Sequence, residues 1–273
     1  MEQKQKVMTF WDHVEELRHV LFRIAVAVVF LMLIAFFFKE ELFAVVLAPG
    51  KPDFIIYHFF CRLADAASLP SLCPEAFQVK LINTQLAAQF VTHMSVSFYA
   101  GFLLASPYVL YQLFRFVSPA LYENEKKYSV RVVGWGYLLF IMGVLLNYFL
   151  IFPLVFRFLA TYQVSMEVEN TITLSSYMDT LMMMSLMMGI VFEIPILSWL
   201  FAKLGFLTTD FMKRCRRHAL VIILVIGAVI TPTSDIFTLM MVSVPMYLLY
   251  EVSIRIVSGV EKKNEPSKTQ ERK

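Results

Sequence analysis

The chain has 273 residues, of which 59% are hydrophobic and 16% are charged, and its formal net charge is +3. A soluble domain has roughly a quarter of its residues charged, so this composition excludes an ordinary soluble enzyme and indicates a membrane protein. The apolar residues form blocks long enough for membrane-crossing helices, not the alternating segments of an outer-membrane barrel. With three cysteines and no Cys or His cluster at zinc-ligand spacing, the sequence predicts no metal site.

Six helical spans are predicted from the apolar blocks. The first block follows a charged segment, is too long for the core of a signal peptide and lacks a small-residue cleavage site, so we interpret it as a retained helix. The fifth span is short and the sixth follows at once, so we expect two short or tilted helices joined by a tight turn. The spans are predicted at residues 20–38, 89–111, 132–154, 177–200, 218–231 and 236–256.

The segments outside the spans differ in character. Residues 8–22 carry apolar side chains at helical spacing, which predicts an interfacial amphipathic helix that runs into the first span. The loop 39–88 contains four prolines and an apolar patch, and we expect it to be ordered and partly helical. Residues 261–273 have almost no apolar side chains and are predicted to be a disordered tail, which leaves 1–260 as a single membrane domain.

Lysine and arginine are distributed unevenly between the two sides of the membrane. Of the 24, 19 lie in or next to the amino-terminal segment, the loops after the second and fourth spans, and the tail, and five lie in the other two loops. By the positive-inside rule, both termini are predicted to be cytoplasmic.

Glu193 is the most informative polar residue, because it lies in an apolar span ten residues from Lys203. That distance places the carboxyl roughly 15 Å into the membrane, at a cost of about 2.5 to 3.5 kcal/mol on insertion scales. Two interpretations stay open: a functional carboxyl that faces a cavity, and a carboxyl that is hydrogen-bonded to a neighbouring helix for packing alone. Pro195 removes a backbone donor and is expected to kink the span at this point.

Two cytoplasmic segments also allow two interpretations each. Glu16 has His13 and His19 as helical neighbours, and this face either is simply solvated or binds a ligand. The loop after the second span is rich in Phe and Tyr around Phe116, and it either anchors the protein in lipid or contacts an apolar partner.

A series of motifs, each weak alone but specific in combination and order, resembles the TatC family, the multispanning receptors of the twin-arginine protein translocase. The series covers residues 13–251, which is nearly the whole chain. The motifs are His13-x-x-Glu16-Leu17-Arg18, Ala48-Pro49, Phe116-Val117-Ser118-Pro119-Ala120-Leu121-Tyr122-x-x-Glu125-Lys126-Lys127, Gly143-x-x-x-x-Tyr148-Phe149-x-x-x-Pro153, Gly189-x-x-Phe192-Glu193-x-Pro195, Thr231-Pro232-x-x-Asp235 and Pro245-Met246-Tyr247-x-x-Tyr250-Glu251.

The resemblance implies an all-α polytopic protein of six transmembrane helices, a cupped bundle with short fifth and sixth spans, in the bacterial cytoplasmic (inner) membrane. It implies a translocase subunit, not an enzyme, that recognises Arg-Arg signal peptides on the cytoplasmic face. With single-span partners of the TatA and TatB type it would transport folded proteins by means of the proton-motive force. The implied state is a homo-oligomer within a receptor complex, in contact with lipid, with no cofactor, metal or nucleic acid.

The same resemblance implies roles for individual residues. Glu16 and Glu125 match the carboxylates that receive the two arginines, and Phe116 matches an aromatic position that contacts the signal peptide. Arg18 and His13 belong to the same amino-terminal motif. A carboxylate is the natural bidentate partner of a guanidinium, so the chemistry agrees with these assignments.

Further positions match structural or intramembrane features of the family. Glu193 matches an intramembrane carboxyl that contacts the single-span partner or the signal peptide, with Pro195 two residues later. Pro49 matches a structural proline of the first external loop, Tyr148 belongs to a motif near the outer end of the third span, and Asp235 matches an acidic residue at the external turn between the fifth and sixth spans.

The predicted orientation places Cys61 and Cys73 outside the cytoplasm and Cys215 inside it. In an oxidising compartment the two external thiols can form a disulfide that closes a short loop, although their spacing does not decide whether they meet. Nothing in the motifs shared with the family requires this bond.

A proton-coupled small-molecule secondary transporter that uses Glu193 is the main alternative function. That function predicts further substrate-binding groups at mid-membrane, and Glu193 is the clear intramembrane acid here. The sequence contains no phosphate-binding loop motif, so energy would come from a gradient or a partner.

Overall fold

The computed structural model describes residues 10–66, 79–117, 129–163, 165, 170–231 and 235–270. Within these ranges the chain is mostly helical, as an all-α membrane protein requires, because helices satisfy their backbone hydrogen bonds internally. The elements are α1 (Phe10–Phe37), α2 (Lys39–Leu47), a 3-10 turn (Ala48–Gly50), α3 (Ile55–Ala66), β1 (Leu81–Ile82), α4 (Ala88–Val117), α5 (Ser129–Leu146), a π-helical segment (Asn147–Ile151), α6 (Phe152–Thr161), β2 (Ile172–Thr173), α7 (Leu174–Val191), α8 (Ile194–Lys203), α9 (Thr209–Arg214), α10 (Arg216–Ile230) and α11 (Ile236–Gln270).

Five helical segments of the described chain are long and apolar enough to cross a membrane: His13–Phe37, Ala88–Phe116, Val132–Thr161, Leu174–Lys203 and Ile236–Lys262. They correspond to the predicted spans one to four and six. The predicted fifth span is α10, whose 15 residues give a length of about 22 Å. This is shorter than a hydrocarbon core of roughly 30 Å, in agreement with the expectation of a short span.

The helices extend beyond the predicted spans where amphipathic or polar residues continue the helix. The predicted interfacial segment and the first span are one helix, α1. The sixth span is longer than predicted, since α11 continues to Gln270, and helix replaces the disorder that the sequence predicts from residue 261. Glu261 accepts hydrogen bonds from Thr209, and the residues after it only need to extend an already nucleated helix.

Internal contacts divide the chain into two compact units, whereas the sequence predicts a single membrane domain. The first unit contains residues 1–39 and 93–137. In it α1 packs antiparallel on α4, and a Cβ at Gly101 would lie 2.5 Å from the backbone nitrogen of Met32. Glycine is therefore needed there for close helix approach, as is common between membrane helices.

The second unit contains residues 40–92 and 138–273. Here α8 packs most extensively against α11, and α10 also packs on α11. The short strands β1 and β2 pair in parallel, with Leu81 opposite Ile172. An apolar cluster at the end of α11 joins it to α8 and α9; its buried members are Ala202, Met212, Ile254, Val257 and Val260.

Candidate functional site

The amino-terminal end of α1 and the carboxyl-terminal end of α4 meet at an aromatic pair. The His13 ring stacks on the Phe116 ring, with 4.3 Å between centroids and 19° between planes. Glu16 lies one turn further along α1 and is half-buried. Its Oε2 atom is buried and has no hydrogen-bond partner among the described residues. A buried carboxylate oxygen in this state is poised to accept a donor, because such groups are costly to leave unpaired.

Gln112 on α4 is a polar residue that the sequence reasoning missed. Its side chain is 4% exposed, and its Nε2 donates to the Tyr108 hydroxyl at 2.7 Å. Its Oε1 has no hydrogen-bond partner in the described part of the chain. The available signal was its spacing, since Gln112 precedes Phe116 by four residues and so shares its helix face.

The fourth span is interrupted at Glu193. α7 ends at Val191 and α8 begins at Ile194, so Phe192 and Glu193 form a turn between the two helices. Pro195 occupies the first turn of α8, where its missing N–H is tolerated, while Val191 loses the donor that position 195 would supply. The kink expected from Pro195 is therefore present as a break in the helix.

The Glu193 side chain is 9% exposed. Its Oε1 is buried, and within the described ranges no donor reaches it. The backbone oxygen of Glu193 accepts from the amides of Ile196 and Leu197, each at 3.0 Å. The backbone at the break is thus partly satisfied, while the carboxyl keeps free acceptor capacity within the membrane span.

A close crossing of α5 and α7 supports this break. A Cβ at Gly143 would lie 2.6 Å from the backbone oxygen of Met188, and one at Gly189 would lie 2.7 Å from the Phe140 ring. One turn further from Glu193, the Asn147 amide donates to the Ser185 hydroxyl at 2.8 Å in a buried hydrogen bond. Two glycines and one polar pair therefore fix the register of α7 just before Glu193.

Tyrosine hydroxyls anchor the first loop to the third and fourth spans. Tyr148 donates to the Val45 oxygen at 2.7 Å, and Tyr177 donates to the Val46 oxygen at 3.1 Å. Pro49, in the 3-10 turn that follows, is buried. Tyr57 of α3 donates to the Pro153 oxygen at 2.9 Å. Val45 and Val46 lie in the last turn of α2, whose carbonyls lack partners further along the helix, so the two hydroxyls supply donors there.

Asp235 caps the amino terminus of α11. Its Oδ2 accepts from the Thr238 amide at 2.8 Å and its Oδ1 from the Thr238 hydroxyl at 2.7 Å. Asp235, the acidic residue expected at the external turn, is thus a helix cap. Its carboxylate accepts from a backbone N–H at the start of α11 that has no partner within the helix.

The opposite end of the fifth and sixth spans carries an ion pair. Arg216 of α10 and Glu251 of α11 are 2.8 Å apart. Tyr250 donates to the Met212 oxygen at 2.8 Å, which ties α11 to α9. At this end, α11 is therefore joined by polar contacts to both α10 and α9.

The family model of the Sec-independent protein translocase protein (TatC) matches residues 12–245. The chain belongs to the TatC family. It is similar to TatC of Blattabacterium sp. subsp. Periplaneta americana, with 35% identity over 96% of this chain and 100% of that protein. It is also similar to TatCy of Bacillus subtilis, with 30% identity over 98% of this chain and 96% of that protein.

Two crystal structures of the twin arginine translocase receptor TatC have the same fold. One has a TM-score of 0.72 at 29% identity and covers 91% of this chain and 99% of that chain. The other, in DDM, has a TM-score of 0.73 at 29% identity and covers 89% of this chain and 98% of that chain. The resemblance drawn from the motifs and the polytopic all-helical fold are both confirmed.

Membership in the TatC family makes the chain a membrane component of the Sec-independent protein translocase, which acts together with other Tat subunits. Of the positions matched to TatC motifs, the structure brings His13, Glu16 and Phe116 together at one end of the first unit. Arg18 lies on α1 and is exposed. Glu125 lies outside the described residues, so its role stays a prediction.

Two further predictions concern the cysteines and metal binding. Cys61 is disulfide-bonded and Cys215 is free, while Cys73 lies outside the described residues. In the described ranges, no three His, Cys, Asp or Glu side chains are grouped as metal ligands.

Proposed function

We propose that this TatC protein recognises Arg-Arg signal peptides on the cytoplasmic face and, with single-span partners, carries folded proteins across the membrane. The observation that carries the proposal is the buried Oε2 of Glu16, which has no hydrogen-bond partner among the described residues and lies about one helical turn from the His13–Phe116 stack. A buried carboxylate oxygen next to two stacked rings is suited to accept hydrogen bonds from a cationic group. The related crystal structures are of the twin arginine translocase receptor TatC, which supports the same assignment.

The chemistry of the site favours arginine over lysine. A guanidinium presents five donors in a planar fork, binds a carboxylate in a bidentate manner and stacks on aromatic rings, whereas an ammonium is a strongly hydrated point charge. Glu125 would supply the second carboxylate. Two carboxylates that face each other repel in the empty site, and a pair of arginines relieves that repulsion.

The proposed location is the bacterial cytoplasmic (inner) membrane, with both termini in the cytoplasm. The support is the distribution of positive charge, since 19 of 24 lysines and arginines fall on the side assigned to the cytoplasm. In this orientation His13 and Glu16 lie at the cytoplasmic end of α1, where a signal peptide arrives.

Glu193 is proposed to contact a polar group of a single-span partner of the TatA or TatB type, or of the signal peptide. A carboxyl whose buried oxygen has no hydrogen-bond partner in the described part of the chain offers a strong acceptor at a helix break inside an apolar span. We further propose that several copies assemble in a receptor complex, and that the proton-motive force drives transport, because the sequence has no nucleotide-binding motif.

Peptide binding tests the recognition step directly. Purified full-length protein in detergent would be titrated with a labelled signal peptide that carries Arg-Arg and with the same peptide carrying Lys-Lys. We expect the Arg-Arg peptide to bind at least tenfold more tightly, since lysine loses the second hydrogen bond of a bidentate pair and one hydrogen bond to a charged group contributes roughly 1.5 to 3 kcal/mol. Equal affinity for the two peptides would remove the proposal.

Neighbouring carboxylates on α1 provide a matched control. Glu16→Gln removes the charge of the half-buried residue, while Glu15→Gln makes the same chemical change at an exposed position. We expect Glu16→Gln to weaken Arg-Arg binding and Glu15→Gln to leave it nearly unchanged. A similar loss in both variants would indicate only a long-range effect of net charge.

A disulfide between Cys61 and Cys73 is proposed as a local staple of the first external loop, worth roughly 2 to 4 kcal/mol if unstrained. The support is that Cys61 is bonded while Cys215 is free. Thiol labelling of intact cells should modify the two external cysteines only after reduction. Full labelling of both before reduction would show that the bond does not exist.

A further inference from the structure

Two buried acceptors without donors lie on facing helices of the first unit. They are Oε2 of Glu16 on α1 and Oε1 of Gln112 on α4, and neither has a hydrogen-bond partner in the described part of the chain. Buried side-chain oxygens are nearly always paired, so two such atoms on facing helices indicate a site completed by a ligand that donates hydrogen bonds.

The helix register puts the two acceptors at the same depth. α1 and α4 are antiparallel, since His13 stacks on Phe116 at one end and Phe36 stacks on His93 at the other. Glu16 is three residues beyond His13 on α1, and Gln112 is four residues before Phe116 on α4. Each is therefore about one helical turn, roughly 4.5 to 6 Å, further in than the stack and on the same helix face as its aromatic neighbour.

Tyr108 determines which end of the Gln112 amide is offered. The Nε2 group donates to the Tyr108 hydroxyl at 2.7 Å, which holds the amide plane and leaves Oε1 as the free acceptor. A glutamine held in this way presents a neutral acceptor next to Glu16 without a second negative charge that would repel it.

Burial increases from the mouth of the site inward. His13 is exposed, Glu16 is half-buried, and Gln112 and Val20 are buried. A cationic group that enters along this gradient exchanges water for the two acceptors. Hydrogen bonds formed there act in a low local dielectric and discriminate more strongly than surface contacts.

We propose that Gln112 binds one arginine of the signal peptide: its Oε1 accepts an N–H of the same guanidinium that Glu16 binds, with the His13–Phe116 stack as the adjoining wall. This inference rests on the proposed function and adds a specificity residue to it. A guanidinium has donors on two edges and can reach acceptors from both helices at once, whereas an ammonium lacks the planar fork that matches them.

The test measures affinity of the full-length purified protein for four synthetic signal peptides, which carry Arg-Arg, Arg-Lys, Lys-Arg and Lys-Lys. Gln112→Met keeps the side-chain length and removes the acceptor, and we expect it to weaken Arg-Arg binding by about tenfold or more. Tyr108→Phe changes one hydroxyl on a side chain that is 38% exposed, and we expect a smaller loss because the amide can then rotate. Ser97→Ala, a buried polar change elsewhere on α4, is the control and should not alter binding.

The mixed peptides separate a direct contact from structural damage. If Gln112 binds one particular arginine, Gln112→Met should cause no further loss with the peptide in which lysine replaces that arginine. An equal loss on all four peptides, or an unchanged affinity for Arg-Arg, would overturn the inference. If Gln112→Met does not fold, Tyr108→Phe is compared on the same four peptides instead. An equal loss of affinity for all four peptides would then overturn the inference.

Binding by the unmodified protein distinguishes failure of the proposed function from failure of the role of Gln112. Equal binding of Arg-Arg and Lys-Lys by the unmodified protein refutes the proposed function, and the role of Gln112 with it. A preference for Arg-Arg that Gln112→Met and Tyr108→Phe both leave intact refutes the role of Gln112 alone.

Discussion

Replacement of Gly143 by alanine should push α5 and α7 apart and destabilise the protein. The new Cβ would lie 2.6 Å from the Met188 backbone oxygen and 2.8 Å from Cγ of Phe192. The first atom is backbone, and rotation of the Phe192 ring about χ2 does not move its Cγ, so relief there needs a change of the χ1 rotamer. Ordinary contacts need about 3.5 Å, so the helices must separate by roughly 0.5 to 1 Å, at a cost of about 1 to 3 kcal/mol.

Two other glycines calibrate this prediction. At Gly189 the added Cβ would meet the outer atoms of the Phe140 ring at 2.7 Å, and a ring can rotate, so we expect a smaller loss. At Gly134, also on α5, nothing lies within 4 Å of the added Cβ. Alanine there should be neutral or stabilising by up to about 1 kcal/mol, because glycine is a poor helix former.

Thermal unfolding of the purified variants in one detergent measures the order of stability. The expected order from most to least stable is Gly134→Ala, the unmodified protein, Gly189→Ala and Gly143→Ala. Because Phe192 directly precedes Glu193, Gly143→Ala should also reduce crosslinking of a partner to position 193. If Gly143→Ala is as stable as Gly134→Ala, the helices do not cross as closely as described and the reasoning fails.

Three further predictions concern polar groups. Ser185→Ala removes the acceptor of the buried Asn147 amide and should lower thermal stability by about 0.6 to 1.7 kcal/mol, the range measured for hydrogen bonds between membrane helices. Glu261→Gln weakens the bonds from Thr209 and should increase proteolysis around α9, whereas unchanged protection would contradict a clamp at this point. Burial raises the pKa of Tyr57 to about 12, so the folded protein keeps a proton that the unfolded chain loses near pH 10, and stability should fall as pH rises from about 10 to 12. Tyr57→Phe should flatten that fall, measured as melting temperature against pH, and an equal slope would refute the assignment.

The number and place of the spans could be predicted because the bilayer sets a length and apolar blocks of that length are visible in the sequence. The short fifth span was predictable for the same reason. The ends were not, since helices such as α1 and α11 continue wherever neighbouring contacts favour helix. Glu261 illustrates this, because its bonds to Thr209 join positions far apart in sequence.

The candidate site likewise contains residues whose importance could be predicted from the sequence and residues whose importance could not. Glu193 and Pro195 are conspicuous in an apolar run, so the polar position and the break could both be predicted. Gln112 was missed, because its spacing from Phe116 becomes informative only when that helix face is known to be buried against α1. Gly143 and Gly189 likewise acquire meaning only as a pair, once α5 and α7 are known to cross there.

The carboxyl groups of Glu16 and Glu193 differ in what they can bind. Glu16 lies where burial begins, so a fully charged guanidinium can approach it from water. Glu193 lies within a span, where bringing in a second full charge would add a large desolvation cost. A neutral donor, such as a hydroxyl or amide on a single-span helix, satisfies that oxygen at far lower cost. We therefore expect the Glu16 carboxylate to select for charge and shape, and the Glu193 carboxyl to select for a polar side chain at the matching depth.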